Sequence, residues 1–492
     1  MDLKKLQNGS DVRGIALEGV KGEEVNLTNE ASYKIAKAFS IWLKKRLNKD
    51  SVKVTLGRDS RLSGPALAEN VMKGLSSEEN VEVVYFNLCT TPAMFMSCVN
   101  EEVNADGAIM ITASHLPFNR NGLKFFTKDG GAEKEDIIDI LTIANEMELE
   151  DVEAKYETLD FLSMYAADLV KKIQERTGEE KPFSGKKIIV DAGNGSGGFF
   201  ASKVLEVLGA DTSGSVYLDP DGSFPNHVPN PELKDVMDSF SEIVKKEDAD
   251  LGIIFDTDVD RAAAVDKSGE EISRNKLVAL MASICLEEAA GSYIVTDSVT
   301  SSGLKEFIEE KGGVHHRFKR GYKNVINEGI RLNEEGKECL LAIETSGHCA
   351  LKENYFLDDG AYMVVKILVK FFELSKENKT FDDLIGSLKE AKEEAELRAT
   401  FLVEDFKEYG ANLLEDFKVY VKEKMEGASF EEPNFEGVRV NVERDGIKGW
   451  VLLRLSLHDP VLPINIESEN EGGVENIKKE ILDFLKDYEV KF

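Results

Sequence analysis

Three successive α/β domains of similar plan, each built on a mixed sheet, followed by a smaller α+β C-terminal domain, are what this sequence predicts. Three observations carry that expectation. At 492 residues the chain is several times longer than one hydrophobic core usually serves, so three or four domains follow. Short apolar runs alternate with helix-length segments: VKVTLG (52–57), VEVVYF (81–86), GAIMIT (107–112), KKIIVDA (186–192), SGSVYL (213–218), ADLGIIF (249–255), SYIVT (292–296) and ECLLAIE (338–344). Beyond a charged, helix-rich stretch from Glu373 to Glu396 the rhythm changes, with NFEGVRVNVE, GWVLLRLS and LPINIES as strands before a last helix. The expected domains are residues 1–159, 160–270, 271–392 and 397–492. A βα rhythm gives parallel or mixed sheets with helices on their faces, and such sheets bind ligands at the carboxyl ends of strands. Functional loops should therefore follow strands directly.

Composition narrows the function. Hydrophobic residues make up 42% and charged residues 31%, an ordinary globular balance. Against 61 Lys and Arg stand 92 Asp and Glu, a net charge of −31 that repels nucleic-acid phosphate and anionic membranes. An anionic ligand would then need a locally basic site with clustered Arg, Lys and backbone N–H groups. The N-terminal stretch MDLKKLQNGSDVRGIALEG has no continuous apolar run, and no stretch of about twenty apolar residues occurs, so a cytoplasmic protein without signal peptide or membrane span is expected. Five cysteines without CxxC spacing read as buried thiols rather than disulfides or a zinc site.

Three loops carry chemistry. The strand GAIMIT runs into Ala113-Ser114-His115-Leu116-Pro117-Phe118-Asn119-Arg120-Asn121-Gly122-Leu123-Lys124, which sets a hydroxyl, an imidazole, amides and an amine at a strand's end. Ser, Asn and Gly are also common turn formers, so this loop needs a partner. One follows another apolar strand: Asp256-Thr257-Asp258-Val259-Asp260-Arg261, whose alternate carboxylates suit a hard cation such as Mg²⁺. An EF-hand loop is excluded because its sixth and twelfth positions, Gly and Glu, are Arg261 and Lys267 here. An apolar strand before DxDxV also resembles the haloacid dehalogenase phosphatases, with Asp256 as nucleophile, but that reading leaves Asp260, Arg261 and the serine loop idle. The third loop, Glu344-Thr345-Ser346-Gly347-His348, offers a carboxylate and a hydroxyl for sugar hydroxyls and an imidazole for proton transfer.

Taken in order and spacing, these loops, with Asp11-Val12-Arg13-Gly14-Ile15 and Gly57-Arg58-Asp59-Ser60-Arg61, resemble the α-D-phosphohexomutase family over about the first three-quarters of the chain. The resemblance implies four domains around one central cleft and a cytoplasmic mutase that interconverts hexose 1-phosphate and hexose 6-phosphate. It implies Mg²⁺, a phosphoserine and a sugar bisphosphate as intermediate and activator, in a monomer or homodimer. By position, Ser114 would carry the phosphoryl group and join Asp256, Asp258 and Asp260 as a metal ligand. Lys124, His348 and Arg13 would assist proton transfer, while His115, Arg261, Lys323, Glu344, Ser346, Arg454 and Ser456 would bind substrate. Asn354-Tyr355-Phe356-Leu357-Asp358-Asp359-Gly360 is more similar to the dual glucose/mannose branch than to the glucosamine branch.

The pattern departs in two places. The family's substrate-phosphate loop, Arg-x-Ser-(Gly/Asn)-Thr-Glu-Pro, is Arg454-Leu455-Ser456-Leu457-His458-Asp459-Pro460 here, which keeps Arg454 and Ser456 but adds the Asp459 carboxylate. Leu116 and Phe118 stand in the serine loop where Asn and Pro are common. A non-catalytic sugar-phosphate sensor is the reading the altered phosphate loop would favour. Gly193-Asn194-Gly195-Ser196-Gly197-Gly198 also fits the dinucleotide fingerprint GxGxxG, with Asp219 at the ribose position, although such a turn serves equally as structure.

Overall fold

Apolar runs that alternate with amphipathic segments are folded, in a computed structural model describing residues 2–456 and 459–492, into two units of chain: Met1–Leu277 with Ser346–Phe381, and Val278–Thr345 with Asp382–Phe492. In the first unit an eight-stranded mixed sheet has Gly107–Ile111, Val52–Arg58, Val81–Leu88 and Glu157–Thr158 in parallel. Arg120–Thr127 pairs antiparallel to Gly107–Ile111, and Asp11–Ile15 pairs antiparallel to Arg120–Thr127. The helix Asn29–Leu47 covers this sheet with Ile35, Phe39, Trp42 and Leu43, an i, i+4, i+7, i+8 stripe. It starts where the Thr28 side chain accepts from the Ala31 amide and stops at Asn48, which takes the left-handed conformation.

The second sheet of this unit has four strands, Glu271–Ile272, Ala262–Asp266, Leu251–Phe255 and Ile188–Asp191, with Leu251–Phe255 parallel to Ile188–Asp191 and antiparallel to Ala262–Asp266. The acidic loop 256–261 is thus a hairpin connection between two fully paired strands. The strand expected at 213–218 forms only the isolated bridge of Asp191 with Val216, because Gly214 and Tyr217 have positive φ and break the extended run.

In the second unit, Val314–Arg317, Tyr293–Thr296 and Cys339–Ile343 lie parallel in that order, with Tyr293–Thr296 in the middle. An antiparallel sheet follows, in the order Ala428–Phe430, Val438–Arg444, Ile447–Leu453, Val461–Ser468, Glu393–Phe401 and Val490–Lys491. Leu413, Phe417 and Val421 of the helix Phe406–Lys424, and Ile477 and Ile481 of Gly473–Leu485, pack with Val440, Val451 and Ile464 into one core. Glu393–Glu396 therefore begin a strand rather than ending a helix-rich stretch, and alternate burial along Glu393–Phe401 shows the period of two. The fully buried Arg439 lies 3.6 Å from the Trp450 ring centroid and donates to the carbonyls of Ser298 and Thr300. All five cysteines are buried thiols, and among the described residues no helix is long and apolar enough to cross a membrane.

Candidate active site

Ser114 follows the strand Gly107–Ile111 in the connection to its antiparallel neighbour, at a left-handed φ of 50° that is uncommon for a residue with a Cβ. Its amide donates to Thr112 Oγ1 at 2.9 Å. Its hydroxyl donates to Asp256 Oδ2 at 2.9 Å and accepts from Arg261 Nη2 at 3.1 Å. The same Nη2 donates to His115 Nδ1 at 2.5 Å. Burial, together with Arg261 and Arg13, holds the His115 imidazole down at about 2, so the ring is a neutral acceptor.

Asp256, Asp258 and Asp260 bring their carboxylates together, with ligand oxygens within 4.8 Å of one another, in a place that excludes water almost entirely. Lys124 Nζ lies 2.5 Å from Asp260 and 3.4 Å from Asp258. Thr91 donates to Asp258 Oδ2 at 2.5 Å. Asp258 Oδ1 and Asp260 Oδ1 are buried and have no hydrogen-bond partner. Burial and the carboxylates of Asp260 and Asp258 push Asp256 well above the usual carboxylate range. Burial also works against the charge on Asp260, yet Lys124, His348 and Arg261 pull it below that range. A carboxylate forced toward protonation beside two orphaned carboxylate oxygens is short of positive charge. Oxygen donors of this kind fit Mg²⁺.

The loop Glu344–His348 crosses from the second unit into the first. His348, in the first unit, forms a bridge with Arg261, and its Nδ1 makes a very short contact with Asp358 Oδ2. Burial opposes its charge, but Asp358 and Asp260 outweigh burial and raise it to about 9. Arg13 donates to Asp11 at 2.9 Å. Ser346 is buried, and its hydroxyl has no partner.

In the second unit, Glu344 is buried and accepts the Gly321 amide at 2.6 Å, while Thr345 donates to Asp297 Oδ2 at 2.8 Å. Lys323 lies in the first turn of the helix Tyr322–Glu334. Arg454 follows the strand Ile447–Leu453, with its Nε buried and unpartnered, and Ser456 Oγ accepts the Asp459 amide at 3.3 Å. Leu457 and His458 lie outside the described residues. The structure therefore brings together Ser114, His115, Lys124, Asp256, Asp258, Asp260, Arg261 and His348 in one unit, and carries Glu344, Lys323, Arg454 and Ser456 in the other.

Several participants had no role from sequence. Arg61 and Asp358 stood in quoted motifs, Gly57–Arg61 and Asn354–Gly360, as residues without a job. Thr91 and Asn230, which accepts from Arg261 Nη1 at 3.2 Å, gave no signal at all. In the glycine turn after Ile188–Asp191, a Cβ on Gly195 would sit 2.6 Å from the Thr257 carbonyl oxygen, and one on Gly198 would sit 2.2 Å from that of Leu218. These glycines let backbones of the same unit pack together, which explains the turn without a dinucleotide.

The first unit thus sets a hydroxyl, three carboxylates and cationic side chains together at the ends of strands. Sequence models of phosphoglucomutase/phosphomannomutase α/β/α domains I, II and III match residues 4–151, 163–269 and 273–391, and the chain belongs to that family. A phosphoglucomutase of Neisseria gonorrhoeae is 29% identical over 465 residues, covering 94% of each chain. A phosphomannomutase/phosphoglucomutase of Pseudomonas aeruginosa is 29% identical over 479 residues, covering 96% of this chain and 95% of that protein. The crystal structure of a phosphoglucomutase/phosphomannomutase family protein from Burkholderia thailandensis superposes with a TM-score of 0.79 at 25% identity over all of both chains.

Proposed function

We propose that this chain is a Mg²⁺-dependent phosphohexomutase acting on glucose or mannose phosphates through phosphorylated Ser114 and a sugar-bisphosphate intermediate. The relatives' names supply the sugar class. The observation that carries the reading is the position of Ser114 Oγ, 2.9 Å from Asp256 and 3.1 Å from Arg261, beside a buried carboxylate trio with unpaired oxygens. Mg²⁺ would be held by Asp256, Asp258 and Asp260 and would neutralise charge on the phosphoryl oxygens.

Arg261 offers its Nη2 to that same group as a second source of charge compensation, the main requirement of phosphoryl transfer. In the first half-reaction a sugar hydroxyl oxygen bonds to the phosphorus on Ser114, the bond to Ser114 Oγ breaks, and the hydroxyl proton leaves for a base. The reverse step at the other end of the sugar restores phosphoserine. Lys124, Arg13 and His348 are the proton-handling groups, with His348 held protonated by Asp358 and so suited to donate. Glu344 and Ser346 are the sugar-hydroxyl ligands, and Lys323 and His115 are further substrate contacts. Arg454 and Ser456 take the phosphate that stays on the sugar.

The test is ³¹P NMR of the protein with Mg²⁺ and a trace of glucose 1,6-bisphosphate, supplied separately with glucose 1-phosphate, mannose 1-phosphate and glucosamine 1-phosphate. The expected result is a 6-phosphate resonance growing from glucose or mannose 1-phosphate and absent in Ser114→Ala. Release of inorganic phosphate, retained in Ser114→Ala, would replace this reading with an Asp256 phosphatase. Binding without turnover would leave a sugar-phosphate sensor.

A further inference from the structure

Arg61 has no exposed surface, a costly place for a permanent charge. Its Nε lies 3.3 Å from Asp59 Oδ2, and its amide donates to Asp59 Oδ1 at 2.9 Å. The hydrogen bonds of the guanidinium go to carbonyls of the serine loop. Nη1 donates to the carbonyls of Pro117 at 2.8 Å and Arg120 at 3.0 Å, and Nη2 donates to that of Leu116 at 2.6 Å and, in a shorter contact, to that of Ser114. Carbonyl dipoles converging on one point repel each other unless a cation sits among them. A planar fork of donors meets that need in a way a single ammonium does not.

The turn after Asp219 closes the other side of Arg61. Its guanidinium carbon lies 5.2 Å from the Phe224 ring centroid. A Cβ on Gly222 would fall 2.4 Å from the Leu62 amide and 2.5 Å from Arg61 Cα, so only glycine permits this approach. The loop that Arg61 holds contains Ser114 at its unfavourable φ of 50°. Loops relax such strain unless the surroundings over-determine them.

We propose that Arg61 is a positioning residue that sets the direction of Ser114 Oγ by gripping the loop's carbonyls. Resting on the phosphoserine reading above, the clamp keeps the oxygen aimed at Asp256 and Arg261 while the phosphoryl group leaves and returns. The Arg61 guanidinium is engaged with Asp59 and the loop carbonyls. Its loss should act on kcat, because a serine misplaced by about 1 Å costs on the order of 100-fold, while sugar contacts remain.

The experiment compares wild type with Arg61→Met and Arg61→Lys by steady-state kinetics, melting temperature and hydrogen–deuterium exchange. Expected are a roughly 100-fold loss of kcat in Arg61→Met with KM within about threefold, a smaller loss in Arg61→Lys, and faster exchange confined to peptides spanning 112–121. Exchange that rises equally in the helix Asn29–Leu47 would show a merely structural residue and overturn the proposal, as would an unchanged loop. Should Arg61→Met fail to fold, Arg61→Lys is read by the same criteria. Absence of mutase turnover in wild type would sink the phosphoserine reading, and the exchange pattern would still decide whether Arg61 holds the loop.

Discussion

Asp359 is a buried carboxyl at the start of the helix Gly360–Lys376, and replacing it by Asn should alter how stability depends on pH. Both of its oxygens accept from the Tyr165 hydroxyl, at 2.7 and 2.8 Å, and it also accepts from Asn354 Nδ2 at 3.0 Å and the Tyr362 amide at 2.8 Å. Burial nevertheless dominates and raises its pKa from 3.8 to about 6. A carboxyl that binds its proton more tightly in the folded state stabilises the fold below its unfolded pKa. That contribution is lost as pH rises through 6. The shift corresponds to about 3 kcal/mol in all, of which roughly 2 kcal/mol falls between pH 4.5 and 7.5. Asn cannot titrate, but it keeps a carbonyl oxygen for the Tyr362 amide. The stability of Asp359→Asn relative to wild type should therefore improve by about 2 kcal/mol from pH 4.5 to 7.5, a change of roughly 2–3 °C in the difference of melting temperatures. Calorimetric scans of both proteins at four pH values across that window would show it. A difference that stays flat would refute a carboxyl held protonated, and one that moves the other way would mean the hydrogen bonds outweigh burial.

Two further substitutions probe the site directly. Asp260→Asn removes one carboxylate from the trio and the partner of Lys124; Mg²⁺ activation should shift to at least tenfold higher concentration with kcat falling on the order of 100-fold, and an unchanged Mg²⁺ titration would exclude Asp260 as a ligand. Glu344→Gln keeps an oxygen for the Gly321 amide but halves the carboxylate's accepting capacity; KM for hexose phosphate should rise about tenfold, as expected from one charged hydrogen bond, and a change in kcat alone would argue against a role in gripping the sugar.

The sheets were legible where apolar runs were short, continuous and bounded, as at 52–57, 107–112 and 249–255. The failures have physical causes. At 213–218 the composition suits a strand, but Gly214 and Tyr217 adopt positive φ, which no apolar count reports. At Glu393–Phe401 the Glu, Ala and Leu content favours a helix, while Ala395, Leu397, Ala399 and Phe401 face inward on alternate positions. Pairing with Val461–Ser468 decided between the two, and that partner lies some sixty residues away. In the site, residues acting through their own loops were readable from motif and strand end. Those acting through another element, such as Thr91 on Asp258 or Asn230 on Arg261, are set by tertiary packing that no local pattern encodes.

A chain with net charge −31 can still receive an anionic ligand because the sign of the whole and of the site differ in range. Surface carboxylates are screened over about 8 Å at physiological ionic strength, whereas buried charges are screened far less. Within the first unit Arg261 and Arg61 reach Ser114, while Lys124, Arg261 and the protonated His348 lie at the carboxylate trio. Three buried carboxylates oppose them, and Asp358 and Asp59 are already committed to His348 and Arg61. Burial, with the carboxylates of Asp260 and Asp258, drives Asp256 toward protonation. A divalent cation would reverse that shift and free the trio to stay ionised. The same local balance then favours a doubly charged phosphoryl group at Ser114, so cation and phosphate should each raise the affinity for the other. Mg²⁺ titrations of the phosphorylated and unphosphorylated protein measure this coupling, and identical midpoints would refute it.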